Sequence, residues 1–302
     1  MSMSRIQLCP QGLEVSRLVY GVWRFMNHPL QGDQKKIRNL VDICLERGVT
    51  SFDHADIYGS YQCEALFGQS IGSSQRQRME LISKCGIKLV SSARPEHRSK
   101  SYDTSPHHIR LSVEQSLQNL RTDYLDLLLI HRPDPLMDAN AVAEVFDELK
   151  QAGKVRAFGV SNFTPAQFDL LQSRLDQPLV TNQIEVNPLQ SAPFFDGTLD
   201  HAQRLRYRPM VWSPLAGGRI WTDRRPEIQP LKKLLEQLSA EKNSSAETLL
   251  IAWLLKHPAG LVPVIGSTDS ERLQKMLDAE TISLSSEEWF AIVQAGIGHE
   301  VP

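Results

Sequence analysis

The residues best suited to chemistry in this sequence are an aspartate, a tyrosine, a lysine and a histidine that stand at or just after short apolar segments. Asp53 and Lys84 each end such a segment, His131 directly follows residues 125–130, and Tyr58 comes five residues after Asp53. A phenol has a pKa of about 10 in water, but a nearby ammonium stabilises the phenolate and a carboxylate keeps the ammonium charged. This set could therefore protonate a carbonyl oxygen while hydride reaches the carbon, with His131 binding the oxygen.

Each of the four side chains also has an ordinary structural explanation. A single aspartate is more often a helix cap, a single lysine a solvated charge and a single histidine a satisfied polar group, and Tyr58 before Gly59 could cover a turn. The positions of these four residues favour a catalytic role, because the carboxyl ends of all strands in a parallel barrel open on one face. We therefore predict that Asp53, Tyr58, Lys84 and His131 form one active site.

The elements that would position these residues alternate between strand and helix. Apolar segments followed by stretches of helical periodicity occur eight times, and the predicted strands cover residues 18–21, 51–53, 79–84, 125–130, 157–160, 179–185, 209–212 and 261–265. Residues 5–9 and 13–16 predict a hairpin before this series, and Ser285 with Glu288 has capping-box spacing before a last helix. We predict an α/β fold, a (β/α)8 TIM barrel with an N-terminal β-hairpin and a C-terminal extra helix, as one domain over residues 1–302. An open doubly wound sheet is the alternative, but no predicted strand is followed by a Gly-x-Gly-x-x-Gly turn.

Composition argues against several classes of partner. The 302 residues carry a formal net charge of −2, and the sequence pI is about 6.5, so there is no basic field to attract nucleic acid. No segment approaches the run of about 18 apolar residues that a membrane helix needs, and the first residues lack the apolar core of a signal peptide. We therefore expect a cytoplasmic protein with no membrane partner. The cysteines include no Cys-x-x-Cys pair, and no metal site is predicted.

Several short motifs occur in a fixed order along the chain and are specific as a set. They are Phe52-Asp53-x-Ala55-x-x-Tyr58-Gly59, Ser83-Lys84, Leu128-Leu129-Ile130-His131-Arg132-Pro133-Asp134, Gly159-Val160-Ser161-Asn162-Phe163, Gln183, Trp212-Ser213-Pro214-Leu215, and Gly266-Ser267 with Glu271-Arg272. On these motifs the chain resembles the aldo-keto reductase family over residues 18–277. The likeness is greatest to bacterial members known only as oxidoreductases.

The resemblance implies an enzyme that reduces aldehydes and ketones with a nicotinamide cofactor, usually NADPH, bound without a Rossmann domain. Asp53, Tyr58, Lys84 and His131 match the catalytic residues of the family, with Tyr58 as general acid. Two other functions remain open: a nucleotide-binding regulatory subunit with little turnover, and a metal-free lyase or isomerase in which Lys84 forms a Schiff base. The lyase reading leaves the expected cofactor residues without a role.

The resemblance also implies a set of cofactor residues. Amide and hydroxyl groups suit a carboxamide, a flat ring suits the nicotinamide, and glycine lets backbone N–H groups approach phosphate. An arginine fork suits a phosphate, so NADPH or NADP+ is favoured over NADH, although a lysine and an adenine-binding pair common in the family are replaced here. The matching residues are Ser161, Asn162 and Gln183 for the carboxamide, Trp212 beneath the nicotinamide, Ser213, Leu215 and Gly217 for the pyrophosphate, and Gly266, Ser267, Arg272 and Lys275 for the adenosine end.

Aromatic and charged residues that follow the predicted strands are candidates for the substrate pocket. Trp23 and Phe25 follow the first strand, Arg132 and Asp134 the fourth, and Trp221 the seventh. An aromatic wall favours carbonyl compounds with an apolar body. The expected partner is a small carbonyl substrate, and we expect the protein to be a monomer.

Overall fold

Eight parallel strands close into a barrel in the computed structural model, which describes residues 2–27 and 29–301. The predicted (β/α)8 barrel is confirmed, and the open-sheet alternative is wrong because the strand order closes on itself. Helices cover the outside, so the barrel strands are apolar and almost entirely buried. The strands are β1 (Arg5–Gln7), β2 (Glu14–Ser16), β3 (Val19–Gly21), β4 (Ser51–Asp53), β5 (Glu80–Cys85), β6 (Ile87–Lys88), β7 (Ser101–Tyr102), β8 (Leu125–Ile130), β9 (Val155–Ser161), β10 (Leu179–Glu185), β11 (Met210–Trp212) and β12 (Val262–Ile265). β1 with β2 and β6 with β7 form antiparallel pairs outside the barrel.

The register of the barrel brings the ends of its strands to one rim. Asp53 at the end of β4 pairs with Gly21 at the end of β3, and Gln183 of β10 pairs with Ser161 at the end of β9. His131 directly follows β8, and its backbone N–H donates to a carbonyl of β5. Since parallel strands all point the same way, these side chains share the carboxyl face of the barrel.

Side-chain caps fix where several of the outer helices begin. The carboxylate of Asp33 accepts hydrogen bonds from the backbone of Lys35 and Lys36, and the Ser105 hydroxyl accepts from the backbone of His108. Among the described residues, the helices are α1 (Gln34–Glu46), α2 (Tyr58–Tyr61), α3 (Cys63–Ser70), α4 (Ser73–Arg76), α5 (Pro106–Leu120), α6 (Ala139–Gln151), α7 (Pro165–Gln172), α8 (Thr198–Leu205), α9 (Arg219–Thr222), α10 (Gln229–Lys242), α11 (Ala246–Leu255), α12 (Ser270–Met276) and α13 (Ser286–Ile297), with 3-10 turns at Ala192–Phe194, Ala216–Gly218, Pro226–Ile228 and Ala279–Thr281.

The predicted N-terminal hairpin is confirmed, and it lies at the amino ends of the barrel strands. The Ser16 hydroxyl at the end of β2 accepts hydrogen bonds from the backbone of Thr50 (3.2 Å) and Ser51 (3.1 Å), where β4 begins. Just before β11, the backbone N–H of Arg208 donates to the carbonyl of Leu8 at 2.7 Å. The hairpin therefore lies on the opposite face from the strand ends that carry the candidate catalytic residues.

The predicted C-terminal helix is also confirmed. Ser285 caps α13, and Glu288 completes the capping box. The indole N–H groups of Trp253 and Trp289 each donate to the other residue's carbonyl, at 3.1 and 3.0 Å, and the two rings stack with centroids 5.6 Å apart. These contacts hold α13 against α11. None of the helices in the described part of the chain is long and apolar enough to cross a membrane.

Element boundaries differ from the sequence prediction in one informative place. Residues 91–104 are mostly polar and predict a loop between the third and fourth barrel strands, but β7 within them pairs with β6. Both residues of β7, Ser101 and Tyr102, are exposed. A two-residue strand without a buried face has no apolar alternation, which is the signal that sequence patterns detect.

Candidate active site

Three barrel strands and the turn after β4 bring four titratable side chains together. Lys84 in β5 is buried, and its ammonium donates to the Asp53 carboxylate at 2.7 Å, to the carbonyl of His54 at 2.7 Å and to the hydroxyl of Tyr58 at 3.0 Å. An ammonium has three donors, so each N–H of Lys84 has one acceptor. His131 lies beside Tyr58, with ring centroids 5.9 Å apart. The structure thus places the four predicted residues in one cluster.

The buried lysine remains charged because of its neighbours. Burial alone would lower the pKa of Lys84, but the Asp53 carboxylate and the Tyr58 hydroxyl outweigh burial and raise that pKa above its usual value. The side chains of Lys84 and Asp53 are 0% and 3% exposed. In such a dry environment, each charge requires the other.

Burial also dominates the acidity of the tyrosine. Burial raises the pKa of Tyr58, and the ammonium of Lys84 lowers it without cancelling the rise. The sequence indicates the nearby ammonium but not the depth of burial, which has the larger effect on the pKa of Tyr58. Tyr58 is therefore a neutral phenol at physiological pH, with a cation 3.0 Å from its oxygen.

The turn that presents Tyr58 depends on a glycine. Gly59 has φ 57° and ψ 37°, in the left-handed region that favours glycine. A Cβ at this position would lie 2.6 Å from both the Sγ of Cys63 and the Cγ of Met26. No other residue fits here without displacing these neighbours, so steric contacts explain why glycine follows Tyr58.

The histidine of the cluster is uncharged. Burial is the largest cause that lowers the pKa of His131 well below its usual value, and the charges of Lys84, Arg132 and Lys100 lower it further. Its Nδ1 is buried and has no hydrogen-bond partner among residues 2–27 and 29–301. A neutral imidazole has one N–H donor and one acceptor nitrogen.

A second hydrogen-bonded group adjoins this cluster at the ends of β9, β10 and β11. The Ser161 hydroxyl donates to the carbonyl of Gln183 at 2.8 Å, and the Asn162 amide donates to the Ser161 hydroxyl at 2.8 Å. The indole N–H of Trp212 donates to the Asn162 oxygen at 2.9 Å. The amide of Gln183 donates to the Asp53 carboxylate at 2.8 Å. This last contact joins the two groups and was not foreseen from the sequence.

One cavity of about 490 Å³ opens above both groups. Lys84 lies beneath its wall, where it contacts Asp53 and Tyr58. The predicted site residues that line the cavity are Trp23, Asp53, Tyr58, His131, Arg132, Ser161, Asn162, Gln183, Trp212, Ser213, Leu215, Gly217, Trp221, Gly266, Ser267 and Arg272. The structure therefore brings most of the expected residues to one surface.

Three expected residues lie elsewhere. Phe25 is 1% exposed and packs between Tyr20 and Phe67 in the core, with ring centroids 6.2 and 6.4 Å away, so it is not a pocket wall. Lys275 is exposed on α12 and does not line the cavity, so its predicted role at the adenosine end stays a prediction. The carboxylate of Asp134 accepts hydrogen bonds from Thr104 and Leu136 and braces a loop. Residue type and spacing could not show which way these side chains point.

The cavity also contains a charged residue that the sequence reasoning did not single out. Arg24 lines the wall and donates to the carbonyl of Gly266 at 3.2 Å. Burial lowers the pKa of Arg24, Tyr20 opposes this effect, and the nearby charge of Arg272 lowers the pKa further. Arg272 itself pairs with Glu247 at 3.0 Å. Arg24 immediately follows Trp23 in the loop after β3, and this position at a strand end is the sequence feature that could have indicated a place in the cavity.

The chain is similar to known proteins over nearly its whole length. The model of the Aldo/keto reductase family matches residues 17–297. The chain is 50% identical to Oxidoreductase YdhF of Escherichia coli (strain K12), over 99% of this chain and 100% of the relative. It is 41% identical to a 6-dehydroglucose reductase of Agrobacterium fabrum, again over 99% and 100% of the two chains.

A solved structure shows the same architecture. The crystal structure of the thermostable aldo-keto reductase Tm1743 in complex with the inhibitor epalrestat superposes with a TM-score of 0.82 at 26% identity, covering 97% of this chain and 100% of that one. The family match spans almost the whole barrel and includes every strand end of the site. The chain therefore belongs to the aldo/keto reductase family and is an NAD(P)H-dependent oxidoreductase.

Proposed function

We propose that the protein uses NADPH to reduce aldehydes and ketones to alcohols, with Tyr58 as the general acid. The observation that carries this proposal is the three-way contact of the Lys84 ammonium with Asp53, His54 and Tyr58 at the wall of the cavity. When bound, a reduced nicotinamide supplies the hydride. The residues of the chain must then hold the carbonyl, supply a proton to its oxygen and exclude water.

The proton comes from Tyr58. Its pKa is raised by burial, so the phenol carries its proton before reaction. The ammonium of Lys84 then stabilises the phenolate as the proton leaves, and Asp53 keeps that ammonium charged. Fixed charges in a dry site are already oriented for this step and need no reorganisation.

His131 positions the carbonyl oxygen. Its lowered pKa makes the imidazole neutral, and a neutral imidazole can donate one N–H to an oxygen. Nδ1 is buried with no partner in the described part of the chain, whereas Nε2 is the nitrogen that can face the cavity, and in the tautomer protonated at Nε2 it would donate to the carbonyl oxygen. A neutral donor also avoids adding a cation next to Lys84.

The residues at the ends of β9 to β11 fit a nicotinamide. The amide N–H of Gln183 donates to Asp53. The side-chain oxygen of Gln183 accepts no hydrogen bond from any described residue, so this oxygen can accept one from a carboxamide. Asn162 and Ser161 add an amide and a hydroxyl to the same wall, and Trp212 adds a flat ring held by its bond to Asn162. Gln183 would then connect the nicotinamide pocket directly to the catalytic carboxylate.

The preference for NADPH rests on two arginines. Arg24 and Arg272 line the cavity near Gly266 and Ser267 and lie close enough for the charge of one to lower the pKa of the other. Two like charges at such a distance favour a bound anion. A 2′-phosphate offers that anion, and the bare ribose of NADH does not.

The lyase alternative fits this structure poorly. A Schiff base requires a neutral lysine amine with a free position, whereas Lys84 has a raised pKa and uses all three donors inside the protein. A regulatory subunit with little turnover would bind the cofactor but would not need Tyr58, Lys84 and Asp53 to transfer a proton. Activity therefore separates that alternative from the proposal.

The test compares the wild type with Tyr58→Phe. NADPH binding is measured by quenching of tryptophan fluorescence, and turnover by loss of NADPH absorbance with 4-nitrobenzaldehyde. Loss of a general acid lowers kcat by about 10²- to 10⁴-fold, while NADPH should bind the variant nearly as tightly as the wild type. A wild type that binds NADPH but reduces no carbonyl compound would support the regulatory alternative. Equal loss of binding and turnover in the variant would mean that Tyr58 is structural.

A further inference from the structure

Arg132 is a charged residue of the cavity that has no hydrogen-bond or ion-pair partner among the described residues. It directly follows His131, is half-buried and lines the wall. Its guanidinium lies 5.5 Å from the centre of the Trp212 ring. It makes no hydrogen bond or ion pair with any residue in 2–27 or 29–301, whereas Arg24 donates to Gly266 and Arg272 pairs with Glu247.

The contact with Trp212 orients the guanidinium and leaves its donors free. A cation over an aromatic ring is attracted by the ring face, and this attraction does not use the five N–H donors of an arginine. An arginine remains charged at any physiological pH. Arg132 therefore offers a fixed fork of donors to whatever occupies the catalytic end of the cavity.

The cofactor phosphates do not account for this charge. The cations placed for phosphate, Arg24 and Arg272, lie by Gly266 and Ser267. Arg132 lies instead beside His131 and over Trp212, at the end where the carbonyl compound must react. The charges of Lys84 and Arg132 both act on His131 and lower its pKa. Lys84 is neutralised by Asp53, whereas Arg132 has no carboxylate partner among the described residues, so its charge favours a ligand that offers an acceptor oxygen.

We propose that Arg132 is a substrate-recognition residue, and that the preferred substrates are aldehydes or ketones whose carbon body carries an acceptor oxygen near the carbonyl group. A hydroxyl or a carboxylate would satisfy the free guanidinium donors, and a carboxylate could accept two of them at once. This inference rests on the proposed reductase function and replaces the apolar body expected from the sequence. Trp23 lines the same cavity and is 54% exposed, so its ring can contact the carbon body of such a substrate.

The test uses pairs of aldehydes with the same shape and different polarity. Glyceraldehyde is matched by 2-methylbutanal, in which methyl groups replace both hydroxyls. Succinic semialdehyde is matched by 4-methylpentanal, in which an isopropyl group replaces the carboxylate. Values of kcat and KM are measured for all four with the wild type, Arg132→Met, Arg132→Lys and, as a matched control, Arg24→Met.

We expect Arg132→Met to lower kcat/KM for one or both oxygenated aldehydes by about tenfold or more, the size of a lost hydrogen bond to a charged group. The loss should lie mainly in KM, and the alkyl aldehydes should be nearly unaffected. Arg132→Lys should recover part of the loss. Arg24→Met should leave the ratio between paired substrates unchanged. The oxygenated substrate that is affected then identifies the acceptor as hydroxyl or carboxylate.

Three outcomes would overturn the inference. Equal losses on all four aldehydes would show that Arg132 acts through His131 or the fold, and a weaker affinity for NADPH would show that it binds the cofactor. No change in the paired ratios with either Arg132 variant would show that it does not recognise substrate. A wild type that reduces none of the four aldehydes would instead contradict the reductase function, so the two failures are distinguishable.

Discussion

Replacement of Lys84 by methionine tests whether the buried ion pair is the centre of this site. Lys84 and Asp53 are both buried, and the ammonium donates to Asp53, His54 and Tyr58 at 2.7, 2.7 and 3.0 Å. Methionine fills similar space but leaves the Asp53 carboxylate buried without its cation. Removing one partner of a buried ion pair costs about 3–5 kcal/mol. We expect Lys84→Met to lower the free energy of unfolding at pH 7 by that amount.

The control removes both charges. In the double variant Asp53→Asn/Lys84→Met no uncompensated carboxylate remains, so it should lose less stability than Lys84→Met alone. Urea unfolding followed by tryptophan fluorescence gives the free energy of unfolding of each protein. A loss of unfolding free energy below about 1 kcal/mol in Lys84→Met would refute the reasoning. So would a loss in the double variant equal to the sum of the losses in Lys84→Met and Asp53→Asn.

The same lysine variant has a kinetic consequence. Without the ammonium, Tyr58 keeps its burial and loses the charge that stabilises its phenolate. We expect kcat to fall by about 10²-fold or more. NADPH affinity should change little, because Lys84 contacts Asp53 and Tyr58 rather than the cavity surface.

Two further predictions concern the cofactor and a second buried carboxyl. Arg272→Ala should weaken the binding of NADPH about ten- to a hundredfold, which is the size of a lost hydrogen bond to a charged group. The binding of NADH should weaken much less. Fluorescence titrations that show equal losses of affinity for the two cofactors would contradict the phosphate assignment. Burial, opposed by a hydrogen bond from Ser112, raises the pKa of Asp56 to about 7. Because the folded state holds this proton to higher pH than the unfolded state, Asp56 should contribute a loss of stability on the order of 4 kcal/mol as the pH rises from about 4 to about 8. Asp56→Asn should lack this loss of stability. The free energy of unfolding of both proteins is measured by urea unfolding across this pH range, and the same dependence on pH in both would disprove the prediction.

Much of the fold could be predicted because its signals are local. A strand such as β8 is an uninterrupted apolar run, since helices cover one side and the barrel interior the other. Ser285 and Glu288 marked the start of α13 because a capping box involves residues three apart. The short pair β6 and β7 escaped prediction because its exposed strand has no apolar alternation.

The candidate catalytic residues could also be predicted, because strand ends in a parallel barrel necessarily converge. Orientation was harder. Trp23 and Phe25 both follow β3, yet Trp23 is 54% exposed and Phe25 is 1% exposed. Nothing in residue type separates them; the difference comes from Tyr20 and Phe67, which receive the Phe25 ring in the core.

The sequence by itself determined the alternation of strand and helix and the residue types available at the rim, because both depend on periodicity and order along the chain. Only the tertiary structure decided how those groups act on one another. Gln183 donates to Asp53 across 130 positions of sequence, and burial outweighs Lys84 in setting the pKa of Tyr58. Arg132 has no partner in the described chain although two other cavity arginines do. Hydrogen bonds, desolvation and charge depend on distances in space, and the folded barrel alone fixes those distances.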